Sequence, residues 1–450
     1  MEINKNNFAQ GNIARHITNL AGPMIVAQLI NVLYNVIDRV YIGRIPEIST
    51  LAMGGLGLCL PLISIIIAFA NLFGMGGSPL CSIARGQGKN DEAEEIMGNS
   101  FSLLVIFGIL LTIIVFVLKE DLLWLFGASK DTIVYANDYM TIYLFGTIFV
   151  LISLGMNSFI NSQGFAKIGM CTVLIGAILN IVLDPIFIFV LGFGVKGAAI
   201  ATVLGQMIAM MIGIWITNKK IKEVEVNFKD FSLNWIVIKE IYQIGVPAIL
   251  IQSIMSFMTV FMNMILIAYG ALTVSVFGIY FKLSTFIFMA VNGINNALIP
   301  IVSFNYGARH FDRIFKAVRF SLLLTICIMF LGTCLAWGMP DLLLALFDAS
   351  KQMLDIGIPA IRIIGLCFIP AGINVILGAA LQATGFSKAS LMITLCRQLV
   401  FLIPLSYVLM NLFGLEIGWS AFVITETLCM LISLAFYRRT CNQIQRIERV

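Results

Sequence analysis

Long runs of hydrophobic residues alternate with short polar segments along the whole chain. A transmembrane helix needs about 20 apolar residues to cross a hydrocarbon layer of about 30 Å, whereas a β-barrel would show segments of about ten residues with alternating polarity. The sequence therefore predicts an all-α polytopic membrane protein. Twelve spans are predicted, at about 17–42, 52–80, 97–118, 133–161, 168–191, 197–217, 240–269, 273–300, 317–337, 355–383, 389–411 and 416–437.

The composition supports a chain whose partner is the lipid bilayer. Of its 450 residues, 60% are hydrophobic and only 11% are charged, whereas a soluble protein carries roughly 25% charged residues. Several spans contain a proline, and we expect tilts or kinks there. These prolines are Pro23, Pro61, Pro185, Pro247, Pro370 and Pro404.

The basic residues predict the orientation in the membrane. Of the 28 lysines and arginines, four lie inside spans and five lie on one side, which leaves 19 on the other side. The five are Arg44, Lys119, Lys130, Lys196 and Lys351. By the positive-inside rule, both termini are expected to lie in the cytoplasm. We expect the protein to reside in the plasma membrane. Because the basic residues follow the loops, the net charge of +5 does not indicate a nucleic-acid partner.

The second half of the chain repeats the first. The repeated pairs are FSLL at 101–104 and 320–323, LFGASK at 125–130 and LFDASK at 346–351, QGFAK at 163–167 and TGFSK at 384–388, and Pro23 with Gln28 against Pro247 with Gln252. All offsets lie near 220 residues. Six spans per half predict a parallel repeat, which is a layout of secondary transporters. The expected domains are an N-lobe at 1–217, a cytoplasmic linker at 218–235 and a C-lobe at 236–450.

A polar stripe crosses the first span. Gln28, Asn31, Asn35 and Asp38 are spaced by 3, 4 and 3 residues, so they share one helix face, which we expect to line a cavity together with Tyr34. Arg39 points about 100° away and is interpreted as a residue that snorkels to water.

Three further oxygen-bearing side chains are expected at the depth of Asp38. Asn180 and Asp184 lie four residues apart on one face of span 5, and Pro185 leaves a carbonyl of the preceding turn without its usual donor. Thr202 enters from span 6 at a similar level. Ionisable groups inside spans are functional candidates by default. The group predicts a site for a proton or for a hard cation such as Na⁺. The alternative is that each of these residues is satisfied locally.

Other polar residues inside spans are candidates for lining a substrate cavity. Lys282 and Glu426 have similar depths and are expected to pair, whereas Arg362 and Arg397 have no obvious acidic partner in a span. A structural role is at least as well supported as binding for these four. Gln206 and Gln252 are further cavity-lining candidates.

Four segments of the chain resemble the multidrug and toxic compound extrusion (MATE) family. They are NVIDRVYIG at 35–43, ILNIVLDPIFIF at 178–189, GVKGAAIATV at 194–203 and PIVSFNYGARHFDRI at 300–314. The resemblance covers essentially the whole chain and is strongest to the bacterial branches related to the DNA-damage-inducible and MepA-type pumps. It implies two six-helix lobes around a central cleft that opens alternately to each side. It also implies efflux of organic, often cationic, compounds driven by inward movement of H⁺ or Na⁺.

The family's N-lobe cation site falls on residues that depth had already grouped. In the family it uses an Asp of the first span, an Asn and an Asp of the fifth and a Thr of the sixth, which correspond here to Asp38, Asn180, Asp184 and Thr202. Some relatives have a C-lobe Na⁺ site with acidic residues in spans 7 and 10. Those spans contain no acidic residue at the matching stretches here, so that site is not expected.

Two alternatives to an antiporter of drug-like small molecules remain at this point. A flippase for a lipid-linked or amphiphilic substrate would use Arg362 and Arg397. An enzyme or a receptor would need a metal cluster, an HExxH motif, a nucleophile elbow or a large extramembrane domain, and none is found in the sequence. The sequence has only two histidines, so a histidine-based metal site is not expected. No cofactor is expected beyond the coupling ion. We also expect a monomer.

Overall fold

The computed structural model describes residues 7–46, 48–220, 233–347 and 350–448, and it is helical throughout these ranges, without β-strands. Residues 221–232 of the expected linker lie outside the described residues. The helices are α1 (Ile13–Ile42), α2 (Ser49–Gly86), α3 (Asn90–Leu125), α4 (Ile133–Phe145), α5 (Thr147–Ser162), α6 (Ala166–Pro185), α7 (Val195–Lys220), α8 (Trp235–Leu266), α9 (Ala271–Gly307), α10 (Phe311–Gly338), α11 (Pro340–Ala345), α12 (Lys351–Gly365), α13 (Phe368–Ala383), α14 (Ser387–Leu395), α15 (Leu402–Gly418) and α16 (Ser420–Glu448).

Ten helical segments in the described part of the chain are long and apolar enough to cross a membrane. Two bent pairs add one span each: α4 and α5 meet at 58°, and α12 and α13 meet at 47°. The count then reaches twelve, and the predicted all-α polytopic architecture is confirmed. The first break lies at Gly146, where an added Cβ would collide with the side chain of Val203.

The prolines have different effects on the helices. Pro23, Pro61 and Pro247 lie inside continuous helices, whereas Pro185 ends α6 and is followed by a π-helical segment, Ile186–Val190. A proline has no N–H to donate to the carbonyl four residues earlier, and a π-bulge is a common response at functional sites. The carboxylate of Asp184 therefore lies directly before an irregular turn.

The chain forms two compact units, and the boundary between them falls inside two helices, α1 and α8. One unit contains Gly22–Val246, and the other contains Phe8–Ala21 and Pro247–Val450. Helix α1 thus changes unit between Ala21 and Gly22, immediately before Pro23. Helix α8 changes unit between Val246 and Pro247 in the same way.

The start of α1 is anchored within the second unit by one arginine. The guanidinium of Arg313 donates hydrogen bonds to the carbonyls of Phe8, Gln10 and Gly11, each at 3.0 Å. The Phe8 ring is 2% exposed and packs edge-on against Phe304 at 5.7 Å between centroids. A planar fork of donors is well suited to bind several carbonyls at once.

Small residues bring α6 and α7 together in the first unit. A Cβ on Gly205 would lie 2.9 Å from the carbonyl oxygen of Gly176, so the two backbones touch at this level. Asn180 lies one turn after Gly176, and Thr202 lies three residues before Gly205. The glycine contact therefore places these two side chains next to each other.

Candidate functional site

Helix α1 supplies the first carboxylate of the candidate site. Asp38 is only 8% exposed, Gln28 and Asn31 are half-buried, and Asn35 and Arg39 are exposed. The Asn35 amide donates back to the carbonyl of Asn31 at 2.6 Å. The opposite face of α1 is apolar and exposed, as expected for contact with lipid, and it carries Val26, Leu29, Leu33, Val36 and Val40.

The two aspartates lie together in the first unit. The carboxyl groups of Asp38 and Asp184 lie close enough to interact directly. Because a carboxylate has no donor, two carboxyl groups can share a hydrogen bond only when one holds a proton. Asp184 is fully buried, and Asp38 Oδ1 is buried without a hydrogen-bond partner among the described residues.

Asn180 links Asp184 to Thr202. In the amide orientation that satisfies both neighbours, its nitrogen donates to Asp184 Oδ2 at 3.2 Å. Its oxygen then accepts from the backbone N–H of Thr202 at 3.3 Å and from the hydroxyl at 3.2 Å. All four residues proposed for the cation site, Asp38 included, are thus brought together on α1, α6 and α7.

Tyr139 of α4 completes this group and was missed in the sequence. Its hydroxyl lies beside the side chain of Thr202 and within reach of the charge of Asp38. The ring is 3% exposed and stacks on Tyr143 at 6.1 Å. The spacing of two tyrosines by four residues in an apolar span is the sequence signal that could have identified them.

A polar cavity begins at Asn180 and Thr202. From the sequence-predicted residues it includes Asn31, Tyr34 and Gln206, and the structure adds Ser153, Asn157 and Thr172. The volume that the centre of a water molecule can reach is about 30 Å³. One water needs about 10–15 Å³ measured in this way, so the space suits about two or three waters.

The second unit holds a buried ion pair that differs from the expected one. Glu426 pairs with Arg397, with 3.3 Å between Oε2 and Nη1, rather than with Lys282. Asn374 donates to the same Oε2 at 2.9 Å and accepts from the Ser433 hydroxyl at 2.8 Å. The pair is well enclosed, because each of the two charged side chains is 12% exposed.

The remaining candidates of the second unit are not brought into that cluster. Lys282 is exposed, and its Nζ lies 5.8 Å from the ring centroid of Phe347. Arg362 and Gln252 are exposed as well. In the described part of the chain, no three His, Cys, Asp or Glu side chains lie close enough to hold a metal ion together.

Comparisons with known proteins identify the family to which the chain belongs. The MatE family model matches residues 23–186 and 247–408, so one match falls in each half of the internal repeat. The chain belongs to the MATE family, in its MepA branch. The resemblance drawn from the sequence is thereby confirmed.

Relatives and solved structures match this chain over nearly its whole length. The multidrug export protein MepA of Staphylococcus haemolyticus is 26% identical over 95% of this chain and 94% of its own. A MATE protein in a bent conformation is 24% identical, with a TM-score of 0.93 and full coverage of both chains. An outward-facing multidrug resistance transporter of the MATE family is 25% identical, with a TM-score of 0.90 and 99% and 100% coverage.

Proposed function

We propose that this protein exports organic, often cationic, compounds from the cell by antiport with H⁺ or Na⁺. The observation that carries the proposal is the enclosed group of Asp38, Asp184, Asn180 and Thr202. Two buried carboxyl groups in one polar site are costly in a membrane, and a proton or a hard cation offsets that cost. The multidrug export named for the staphylococcal relatives supports the same function.

The coupling ion acts through its preference for one conformation of the transporter. A ligand shifts such an equilibrium only by its differential affinity for the two states. Loading the carboxyl pair favours one state, and unloading it favours the other. The distribution of lysine and arginine supports termini in the cytoplasm. In a plasma-membrane monomer with this orientation, the ion enters from outside and the drug leaves.

The ion pair of the second unit weakens the flippase hypothesis. A lipid-linked pyrophosphate would require cationic side chains with unused charge. Arg397 is instead neutralised by Glu426 at 3.3 Å, so only Arg362 remains of the two arginines on which this hypothesis depends. Export of small organic molecules is therefore the better supported function.

Transport by purified protein in liposomes tests the proposal. Imposed pH and Na⁺ gradients, applied separately, should drive uptake of at least one member of a panel of fluorescent organic cations that includes ethidium. Asp38→Asn and Asp184→Asn should each abolish this uptake. Asp131→Asn, which changes an exposed carboxylate of the same unit, should leave it intact. Gradient-driven transport that survives in both site variants would contradict the role of Asp38 and Asp184 in ion coupling.

A further inference from the structure

An exposed stripe of α7 changes its chemistry toward the end of the helix. Met211, Trp215 and Lys219 follow one another at intervals of four residues, so they share one helix face. All three are exposed, Met211 by 47% and Trp215 by 54%. From Met211 to Lys219 the helix rises by about 12 Å at about 1.5 Å per residue. The polar layer of a bilayer is about 5–8 Å thick on each side, so this stripe reaches from the acyl chains to the headgroups.

The tryptophan of this stripe holds the lysine beside it. Lys219 Nζ lies 5.0 Å from the centroid of the Trp215 ring, and the face of a tryptophan ring attracts a cation. Tryptophan prefers the interface between acyl chains and water, so the contact places the ammonium group near the level of the lipid phosphates. Lys219 forms no ion pair with an acidic side chain among the described residues. Its charge is therefore available to a ligand.

A second lysine lies at the same level on α6. Helices α6 and α7 pack against each other, and a Cβ on Gly213 would lie 3.9 Å from the methyl group of Thr172. From this contact, Lys167 lies five residues back along α6, and Lys219 lies six residues forward along α7. Because consecutive spans run in opposite directions, both lysines lie at nearly one level. Lys167 is exposed, and it too forms no ion pair among the described residues.

The charge around these two lysines is positive. Asp184 is the only acidic residue between 166 and 220, and it lies about 25 Å from Lys167 along the helix at about 1.5 Å per residue. Basic side chains between transmembrane helices on the cytoplasmic side suit the headgroups of anionic lipids. A phosphodiester between the two lysines would neutralise them, and its acyl chains would continue along the apolar part of the stripe.

We propose that the adjoining ends of α6 and α7 bind the phosphate of an anionic phospholipid between Lys167 and Lys219. The lipid belongs to the leaflet on the side that the distribution of lysine and arginine supports as cytoplasmic. The ring of Trp215 lies at the level of the glycerol ester groups, and Met211 lies at the level of the first acyl carbons. A zwitterionic lipid fits less well, because its own cation competes with the lysines for the phosphate. This site is separate from the carboxyl group and does not depend on the compound that is transported.

Quenching of tryptophan fluorescence by brominated lipids measures this binding. The full chain keeps Trp215 as its only tryptophan, with the other four replaced by phenylalanine. It is reconstituted with brominated phosphatidylglycerol or brominated phosphatidylcholine, and the relative association constant of the two lipids is determined. A matched reporter keeps only Trp124, which is 48% exposed near the end of α3 in the same unit. If a single-tryptophan protein is not monodisperse, the difference in quenching between the wild type and Trp215→Phe gives the same quantity.

We expect phosphatidylglycerol to be preferred about tenfold at Trp215 and less than about twofold at Trp124, because each basic side chain near the headgroup adds about threefold after partial screening by salt. Lys167→Gln and Lys219→Gln should each lower the preference at Trp215 by about threefold. Lys219→Arg keeps the charge and should preserve it. Lys130→Gln, at an exposed lysine of the same unit, should preserve it as well.

Three results would overturn the proposed lipid site. An unchanged preference in the double variant Lys167→Gln with Lys219→Gln would show that the lysines do not bind the headgroup. An equal preference at Trp124 would show a general attraction to the charged bilayer instead of a site. Loss of the preference when inorganic phosphate is added at constant ionic strength would mean that the lysines bind a soluble anion rather than a lipid.

Discussion

At the scale of single residues, Tyr139 is the contact that sequence reasoning did not find. Its hydroxyl lies beside the side chain of Thr202, where it is placed to donate a hydrogen bond to one oxygen of the candidate cation site. Tyr139→Phe should weaken ion affinity by about 1 kcal/mol, or about fivefold, without changing the affinity for the drug. The ion concentration that gives half-maximal transport measures this effect. Tyr407→Phe, at a 60% exposed tyrosine, is the control, and an equal effect in both variants would contradict the assigned contact.

The pair formed by Arg397 and Glu426 leads to a prediction about stability. Removing one partner leaves the other charge buried and unpaired, which typically costs about 3–5 kcal/mol. Glu426→Ala should therefore lower the melting temperature in detergent markedly. The double variant Arg397→Met with Glu426→Met should recover much of that loss, because well-packed apolar residues often replace a buried ion pair without cost. If the double variant melts below Glu426→Ala, the charges do not act as a pair.

The residues of the cation site could be grouped from spacing, but their contacts could not. Helical periodicity places Asn180 and Asp184 on one face, and counting residues along the spans matches their depth to Asp38. Periodicity does not give the rotation of a helix against its neighbours. For that reason the partner of Glu426 was expected to be Lys282, whereas the packing of the second unit brings Arg397 to it. Depth alone leaves several partners equally close.

At the scale of helices, the length of the apolar runs predicted the spans, but not where they break. The sharper of the two bent pairs breaks after Phe145, at Gly146, and bends the span by 58°. Proline was the expected cause of kinks, and no proline lies there. The contact between Gly146 and Val203 is a tertiary feature, so neither hydropathy nor proline content can predict it.

The close contact between α6 and α7 leads to a prediction for Gly205. An added Cβ would lie 2.9 Å from the carbonyl of Gly176, so Gly205→Ala should push the helices apart and cost about 1–3 kcal/mol. Because Asn180 and Thr202 meet beside this contact, ion-coupled transport should fall as well. Gly213→Ala is the matched control on the same helix, where the nearest atom is 3.9 Å away. Equal transport by the two variants would show that this spacing is not critical.

The anchor of the first helix leads to a prediction for Arg313. Arg313→Lys keeps the charge but loses the planar fork that binds three carbonyls. Amide hydrogen exchange in Phe8–Ala21 should therefore become faster, while exchange in the core of α10 stays slow. Arg319→Gln, at an exposed position of the same helix, should have no such effect. Unchanged exchange in Arg313→Lys would mean that the packing of Phe8 suffices to hold the segment.

At the scale of the whole molecule, each compact unit includes a helix start from the other half of the sequence. The unit that contains most of the first repeat continues to Val246, and the second unit takes up Phe8–Ala21. The lobe boundaries expected from the sequence follow the repeat, whereas the compact units follow packing. A repeat search compares sequence offsets. It therefore cannot locate the residue at which a continuous helix passes from one compact unit to the other.

This exchange of helix starts predicts how the protein behaves when it is cut between its halves. A protease site placed within residues 221–232 divides the polypeptide before α8. The segment Trp235–Val246 then belongs to the second fragment while it remains packed in the first unit. We therefore expect the two fragments to co-elute in mild detergent and to keep gradient-driven transport, with separation only under denaturing conditions. Uncut protein that carries the same inserted site is the control. Fragments that separate in mild detergent would show that each half holds together without the helix start that it takes from the other.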